Sequence, residues 1–236
     1  MPGILYGVGC GPGDPEQMTL QAWKVLQQVP IVAVPQGRQN SPGVAAQIIQ
    51  HHVPKTTQIL PLEFAFSPDV EITMQCWQKA VAQLLIPLKQ GFDVAFVCEG
   101  DSSFYSTFTY LAQGFNNYPE IEIKVIPGVC SPCAAAAVVG MPLVTHAERL
   151  LVIPAVHRGT DLTAAFTQAE VIVLLKMAKQ YPEIWQWLQT HDLLSSSYVV
   201  EWVGWPHQKI YRDLQRYPNL QLSYFSLMVI RSQPRD

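Results

Sequence analysis

The sequence predicts an α/β protein of two domains, with a parallel-rich sheet in the N-terminal domain and a mixed sheet in the C-terminal one. In the first half of the 236 residues, short β-branched runs alternate with stretches of helical periodicity, as in sheets built from βαβ units. In the second half several strands follow one another without a helix between them, which favours a mixed sheet. A polar, turn-prone segment at 116–119 separates the halves, so we expect domains at 1–117 and 118–236.

The first domain is expected to open with a strand at 4–8 that runs into a glycine-rich loop. A helix should follow at 19–28, with Thr19 as its cap. Further elements are predicted in this order: a strand at 31–34, a helix that follows Pro42 and Gly43 and extends to His51, a strand at 58–60, a helix at 70–89 that Pro87 ends or kinks, a buried strand within 92–101 and a helix at 104–114.

The second domain is expected to begin with a strand at 121–126 and an alanine-rich helix from Ser131. Four more strands are predicted after that helix, at 150–153, 171–175, 198–203 and 224–230.

Composition excludes several classes of protein. Apolar residues make up 49% of the chain and charged residues 14%, which indicates a compact globular protein, and the net charge of −3 argues against a nucleic-acid binder. The longest uncharged run, 125–145, contains three prolines and two glycines, so we expect turns and a short helix there rather than a membrane span. No signal peptide is expected, and five cysteines, an odd number, favour a cytoplasmic setting.

One cysteine pair has a suggestive spacing, Cys130-Ser-Pro-Cys133. A redox or metal role is possible because a helix N-terminus lowers the pKa of a thiol in general. Zinc would need a second ligand pair, and no histidines stand in a matching array, so no metal site is predicted. The simpler expectation is that the two small residues pack the start of a helix.

The first strand ends in "YGVGCGPGDP", with glycine at every second position from Gly7 to Gly13. A dinucleotide fingerprint would need a third glycine where Asp14 stands and an acid about 20 residues further on, which is missing. Pro12 also removes one N–H that a phosphate cradle would use. We therefore interpret the glycines as leaving one face of the strand end bare for a ligand; tight internal packing alone would account for two of the four.

Five segments, in order along the chain, carry a resemblance to the tetrapyrrole (corrin/porphyrin) methylase family, whose fold is that of the class III methyltransferases. These are "YGVGCGPGDPEQMTLQAWKVL", "VAFVCEGDSSFYSTFTYL", "VIPGVCSPCAAAAVVGMPL" and the later strands "VLLKM" and "VVEWVG". Within the family, "GDSSFYSTFTYL" and "YFSLMVIRS" are most similar to the C20-methyltransferases, which methylate precorrin-2 or its cobalt form in cobalamin biosynthesis. Four positions depart from the family pattern: Ser102 replaces a usual Pro, Glu99 a usual Gly or Leu, and Cys130 and Cys133 usual hydroxyl residues.

The resemblance implies S-adenosyl-L-methionine as methyl donor, a tetrapyrrole substrate, a homodimer and an active site in the cleft between the two domains. The resemblance implies that the following residues contact the cofactor: Pro12, Glu99, Gly100, Asp101, Phe104, Cys130, Ser131, Met177 and Gly204. Asp101 and Tyr105 become candidates for removing the C20 proton, and Arg38, Arg149, Arg158, Lys176 and His157 for holding substrate carboxylates. Taken alone, Met177 would be interpreted as a core residue.

Other functions stay open at this point. A methylase of the same fold could act on another corrin position, uroporphyrinogen, a diphthine precursor or ribosomal RNA, although the low basic content weighs against RNA. A tetrapyrrole carrier without transferase activity is an alternative of a different class, and uptake of S-adenosylmethionine would distinguish the two. A nicotinamide oxidoreductase is disfavoured by the failed fingerprint.

Overall fold

The computed structural model describes residues 1–37, 43–64, 70–156 and 161–232. It divides into two compact units, one ending at Cys130 and one beginning at Ser131. This division falls later in the chain than the boundary expected at 117/118. The reason is that the strand predicted at 121–126 pairs with the first strand of the chain and so belongs to the first unit.

The first unit contains a five-stranded sheet in which every neighbouring pair is parallel, as the βαβ pattern predicts. The strands lie in the order β3-β2-β4-β1-β5. Their bounds are Leu5–Gly9 for β1, Ile31–Gln36 for β2, Gln58–Glu63 for β3, Val94–Cys98 for β4 and Ile123–Ile126 for β5.

Four helices connect these strands: α1 at Leu20–Gln28, α2 at Val44–Ile49, α3 at Val70–Lys89 and α4 at Thr107–Gly114. The predicted cap of α1 is confirmed, because the Thr19 hydroxyl accepts a hydrogen bond from the N–H of Ala22 at 3.1 Å. Pro87 lies inside the last turn of α3, and the helix ends two residues beyond it.

The sheet of the first unit is covered on both faces. In β4, Val94, Phe96 and Cys98 belong to a core cluster with residues of α3 and α4. The alternate residues Ala95 and Val97 are also fully buried, although successive side chains of a strand point to opposite faces. Burial of both faces is typical of parallel sheets, and it explains why the sequence of β4 is apolar at every position.

The second unit contains a mixed five-stranded sheet, which confirms the sequence prediction. The order is β6-β7-β10-β8-β9, where β6 and β7 are parallel and the other pairs antiparallel. The bounds are Leu150–Ile153 for β6, Val171–Leu175 for β7, Ser197–Glu201 for β8, Lys209–Arg212 for β9 and Ser226–Arg231 for β10. Three helices accompany them: α5 at Ser131–Val139, α6 at Leu162–Gln168 and α7 at Tyr181–Thr190.

Sequence reasoning missed α6, α7 and β9. The helix α7 carried a usable signal, since Ile184 and Leu188 are buried at a spacing of one helical turn after a proline that suits a first turn. The strand β9 has only four residues, none of them buried, so it lacks the apolar pattern that identifies a strand. Among the described residues, no helix is long and apolar enough to span a membrane.

Candidate functional site

The loops that follow β1, β4 and β5 meet at one edge of the first sheet, which we call the carboxyl edge (residues 10–13, 99–103 and 127–130). They meet because these three strands are neighbours and run parallel. The connection from β1 leads past β4 to β2, while the connection from β4 leads past β1 to β5, in opposite directions across the sheet. Open α/β sheets bind ligands at such a switch point, outside the carboxyl ends of the strands.

Backbone hydrogen bonds tie the first two of these loops together. The N–H of Cys10 donates to the carbonyl of Cys98 at 2.9 Å. One step further, Gly11 and Gly100 form an isolated antiparallel bridge, with N–O distances of 3.1 and 2.8 Å. The pairing of β1 with β4 thus continues into the loops, so the carboxyl edge is held in a fixed shape.

Side chains tie the third loop to the second. The Asp101 carboxylate accepts hydrogen bonds from the N–H of Gly128 at 2.8 Å, from the N–H of Ser103 at 2.8 Å and from the Ser103 hydroxyl. Next to it, the buried Ser102 hydroxyl donates to the carbonyl of Ile126 at 2.7 Å. Ser102 therefore replaces the family's usual proline with a hydrogen bond that joins the β4 and β5 loops.

These contacts set the charge state of Asp101. Partial burial acts to raise the pKa of its carboxyl group, but the hydrogen bonds donated by Ser103 and Gly128 outweigh it and hold the pKa below the ordinary value of 3.8. Both carboxylate oxygens are occupied by donors from the same unit. The geometry is that of an anchor between loops, and a carboxylate of low pKa is a weak base, so it does not favour the proton-removing role predicted for Asp101.

Contacts and backbone conformation within the protein account for three of the alternating glycines. A Cβ on Gly7 would lie 2.2 Å from the ring of Phe108 in α4, and a Cβ on Gly9 would lie 2.7 Å from the backbone nitrogen of Gly128. Gly11 has a φ of +80°, which side-chain-bearing residues rarely adopt. The space cleared at Gly7 and Gly9 is filled by protein atoms, so the interpretation of a bare strand face is wrong at these two positions.

Two cysteines beneath the edge are unreactive. Burial raises the pKa of the Cys10 thiol, whose sulfur lies 2.8 Å from the carbonyl oxygen of Cys98. Burial likewise raises the pKa of the Cys98 thiol, to about 12. Both stay neutral thiols near neutral pH, so neither is a candidate nucleophile.

Other predicted contacts lie around the same edge with different exposure. Glu99 is exposed, Phe104 and Cys130 are half-buried, and Pro12 is buried. Tyr105 is 54% exposed and adopts a φ of +52°, with its ring centroid 4.8 Å from that of Phe104. A bulky residue with positive φ is an outlier that the surrounding structure must hold in place. Of the two predicted catalytic residues, Tyr105 is the accessible one.

The predicted contacts of the second unit are placed differently. The Met177 side chain is fully buried in a core cluster with Leu174 and Tyr181, so only its backbone is available to a ligand. Gly204 has a φ of +80°, and its N–H donates to the Gln208 amide oxygen at 2.8 Å. Ser131 is the first residue of α5.

The candidates for binding substrate carboxylates separate into three groups. The Arg149 guanidinium is already paired with the Glu170 carboxylate, with N–O distances of 2.8 and 3.2 Å. Lys176 is exposed, and its ammonium lies 5.5 Å from the ring centroid of Tyr224. Arg38, His157 and Arg158 lie outside the described residues.

A second cluster, which we call the second strand edge, lies at the ends of β7 and β8 and the start of β10, which meet because β10 is antiparallel to both. Lys176 and Trp202, which follow β7 and β8, have φ of +53° and +51°. The Trp202 ring packs on Phe225, with centroids 4.3 Å apart. Lys176, Met177 and Gly204, which follow β7 and β8, were predicted from the sequence, whereas Trp202 and Phe225 were not.

A buried carboxylate holds this second edge together. Glu201 is 4% exposed and accepts hydrogen bonds from the Tyr211 hydroxyl at 3.0 Å and from the N–H of Ser223 at 2.7 Å. Burial, with the adjacent Glu201 carboxylate as the next cause, raises the pKa of Tyr211 to about 12. Within the described part of the chain, no group of three or more His, Cys, Asp or Glu residues is arranged to hold a metal ion.

Comparison with known proteins gives a consistent result. The family model described as Tetrapyrrole (Corrin/Porphyrin) Methylases matches residues 4–216. The chain is 28% identical to the cobalt-precorrin-2 C(20)-methyltransferase of Salmonella typhimurium, over 99% of this chain and 98% of the relative. It is also 28% identical to the precorrin-2 C(20)-methyltransferase of a Sinorhizobium species, over 97% and 95%.

Among solved structures, the chain resembles the uroporphyrin-III C-methyltransferase of Thermus thermophilus, solved as a complex with S-adenosylhomocysteine. The TM-score is 0.69 at 19% identity, covering 97% of each chain. At this identity the likeness concerns the fold, and it confirms the predicted two-sheet α/β architecture.

Proposed function

The chain belongs to the tetrapyrrole methylase family, and on that premise we propose that it transfers the methyl group of S-adenosylmethionine to C20 of precorrin-2 in cobalamin biosynthesis. The observation that carries this proposal is the match, over nearly the full length of both chains, to two relatives named for C20 methylation. The segment "GDSSFYSTFTYL", which lies on the carboxyl edge and continues into α4, supports the same subfamily.

The carboxyl edge suits a cationic methyl donor. Bound S-adenosylmethionine supplies a methyl group on a positively charged sulfonium, and the exposed Glu99 offers a negative charge beside Gly100. The bridge between Gly11 and Gly100 keeps this loop in one shape before any ligand arrives, which lowers the cost of ordering it on binding. We propose Pro12, Glu99, Gly100, Phe104 and Cys130 as the ligand contacts of the first unit. Of the second unit, the Met177 backbone, Gly204 and Ser131 stay predicted contacts.

Methyl transfer to a ring carbon requires no covalent bond between the substrate and the protein. The chain has to align the nucleophilic carbon with the methyl group and exclude water, and such positioning can supply roughly 7–11 kcal/mol of the barrier. The neutral thiols of Cys10 and Cys98 agree with a reaction that needs no protein nucleophile. Asp101 serves this chemistry as an anchor that fixes the loops.

We assign to Tyr105 the relay of the C20 proton to solvent, in which the phenol oxygen accepts that proton while the hydroxyl proton passes to a water molecule, because Asp101 is engaged and Tyr105 is exposed beside Phe104. Tyr105→Phe should lower turnover about a hundredfold with little change in the binding of S-adenosylhomocysteine. Tyr110→Phe is the matched control, since Tyr110 is 50% exposed on the adjacent helix. Unchanged turnover in Tyr105→Phe would remove Tyr105 from the chemistry.

The decisive assay gives the purified protein S-adenosylmethionine with precorrin-2 or with cobalt-precorrin-2 and measures product mass. Relatives named for each substrate are equally similar to this chain, so both arms are needed. We expect a singly methylated product from precorrin-2. Product from the cobalt form alone would reassign the substrate, and product only from uroporphyrinogen III would reassign the ring position.

A control separates a transferase from a tetrapyrrole carrier. Calorimetry with S-adenosylhomocysteine should show one saturable site on the purified protein. If tetrapyrroles bind and S-adenosylhomocysteine does not, the protein is a carrier and the proposal fails.

A further inference from the structure

The pair Cys130 and Cys133 lies at the start of α5 with a proline between them. Cys130 directly precedes the helix, Pro132 is its second residue and Cys133 its third. Neither cysteine is in a disulfide in this structure. Proline is tolerated in a first helical turn because the N–H that it lacks has no partner there in any case.

Packing does not account for both cysteines. The helix α5 is held by Pro132 and by alanines, with Ala134 and Ala135 among its buried residues. Cys133 is exposed and Cys130 half-buried, in contrast to Cys10 and Cys98, which are buried in the core. The expectation that the pair packs the start of a helix is therefore wrong for Cys133, whose side chain is exposed to solvent.

The spacing of the two cysteines at the start of α5 suits a disulfide between them. Residues three apart on a helix have their Cβ atoms about 5–6 Å apart, and the residue that precedes a helix directs its side chain toward the third helical residue. A disulfide needs Cβ atoms about 3.5–4.5 Å apart, so only a small adjustment of the first turn is required. The far end of α5 is fixed independently, because the Arg212 guanidinium donates to the carbonyl of Val139 at 2.6 Å.

We propose that Cys130 and Cys133 form a redox-active dithiol that low-molecular-weight disulfides oxidise to an intramolecular disulfide. The thiolate of the exposed Cys133 attacks one sulfur of the oxidant, so that a mixed disulfide forms and one small thiol leaves. The Cys130 thiolate then attacks the Cys133 sulfur and releases the second small thiol. The protein loses two hydrogen atoms, and the oxidant disulfide is reduced to two thiols.

Oxidation would act on the carboxyl edge. Cys130 lies two residues after Gly128, whose N–H is bound by the Asp101 carboxylate. Drawing the Cys130 sulfur toward Cys133 shifts a loop that this contact and the Ser102 hydrogen bond hold in place. The predicted consequence is weaker binding of the methyl donor, and this consequence, unlike disulfide formation, rests on the proposed function.

The first experiment equilibrates the full-length protein with oxidised glutathione, alkylates free thiols and maps the peptides by mass spectrometry. We expect one cross-linked peptide containing Cys130 and Cys133, reversed by dithiothreitol, while Cys76, half-buried on α3, stays a free thiol or carries glutathione. Full alkylation of both cysteines, or a stable glutathione adduct on Cys133 without the cross-link, would overturn the proposal.

The second experiment measures S-adenosylhomocysteine binding by calorimetry to the reduced and the oxidised protein. Oxidation should weaken binding about tenfold, and Cys133→Ser should abolish this difference while binding as the reduced protein does. Cys76→Ser is the matched control and should keep the difference. Equal affinity of the two forms would overturn the regulatory consequence, whereas a lack of binding to the reduced protein would instead count against the proposed function.

Discussion

The carboxyl edge of the first unit and the second strand edge of the second unit both join the ends of three neighbouring strands, but they do so with different residues. At the first edge, Gly128 lies so close to the other two loops that a Cβ on it would lie 2.2 Å from the carbonyl oxygen of Gly100 and 2.8 Å from the carbonyl carbon of Gly9. At the second edge, the bulky residues Lys176 and Trp202 occupy the left-handed region themselves. Strand ends can therefore be brought together in two ways. Glycines allow the backbones to approach closely, or side chains pack around residues whose backbone has a positive φ.

The two solutions differ in their energetic cost. Glycine at positive φ is nearly free of strain in the folded state, whereas a residue with a Cβ costs about 1–2 kcal/mol there. At the second edge, contacts such as the packing of Trp202 on Phe225 offset that cost. Adding a side chain should therefore destabilise the first edge, whereas removing a packed side chain should destabilise the second.

The polar anchors of the two edges also have opposite pH responses. The pKa of Asp101 is lowered in the folded protein, so its contribution to stability is present above the unfolded pKa and is lost as pH falls through the folded value. The pKa of Tyr211 is raised from 10.0 to about 12, so its contribution is present below pH 10 and is lost as pH rises through the folded value. Acid should therefore weaken the first edge and alkali the second.

The largest effect should come from adding one methyl group at the first edge. Gly128→Ala should lower the free energy of unfolding of the first unit by about 3 kcal/mol, because its Cβ would meet backbone that cannot move aside. Amide hydrogen exchange at Gly11 and Gly100 should accelerate in parallel. Chemical denaturation and exchange measured by NMR check both outcomes.

Gly140→Ala provides the control for Gly128→Ala. Gly140 has a φ of +70° but nothing within 4 Å of its would-be Cβ, so only conformational strain, about 1 kcal/mol, is expected. Equal losses in the two variants would contradict the view that close approach of the loops, and not backbone strain, governs the first edge.

Removing the charge of the first anchor should have the next largest effect. Asp101→Asn should cost about 2 kcal/mol at pH 7, since the N–H groups of Gly128 and Ser103 lose a charged acceptor. The difference from the wild type should shrink as pH falls from the ordinary value of 3.8 through the lowered pKa of the folded carboxyl group, because protonation then removes the charge from the wild type as well. Asp161→Asn, at the cap of α6, is the control because asparagine caps helices equally well.

The second anchor should give a smaller loss with the opposite pH dependence. Tyr211→Phe removes the hydrogen bond to the Glu201 carboxylate and should cost about 1.5 kcal/mol at pH 7. The difference should stay constant below pH 10 and decline between pH 10 and about 12, in urea titrations at several pH values. A loss that grows with rising pH would show that Tyr211 is not the alkaline-sensitive group of this edge.

The smallest effect is a gain. Lys176→Gly should stabilise the second unit by about 1 kcal/mol, because glycine adopts a φ of +53° without strain. Lys176→Ala keeps the strain and removes the ammonium that lies over Tyr224, so it should be neutral or slightly destabilising in thermal unfolding. If both variants stabilise the protein to the same degree, strain at this position is not the cause.

The local sequence pattern determined the secondary structure of the first unit and the position of the candidate site. Alternation of β-branched runs with helical periodicity predicted the parallel sheet, and the Thr19 cap and the bounds of α3 were predicted to within a residue. The motif around Gly100 and Asp101 placed the candidate site in loops after buried strands. These features depend on neighbouring residues, so the sequence carries them directly.

Only the tertiary structure decided which distant residues meet. The strand β5 belongs to the first unit because β1 offers it a free edge, and no local pattern states a strand's partner. Likewise, Phe108 fills the space beside Gly7, Asp101 is an anchor because Gly128 lies opposite it, and Met177 is enclosed by core side chains. Each depends on residues far away in the chain, and burial and hydrogen-bond partners exist only once those residues are brought together.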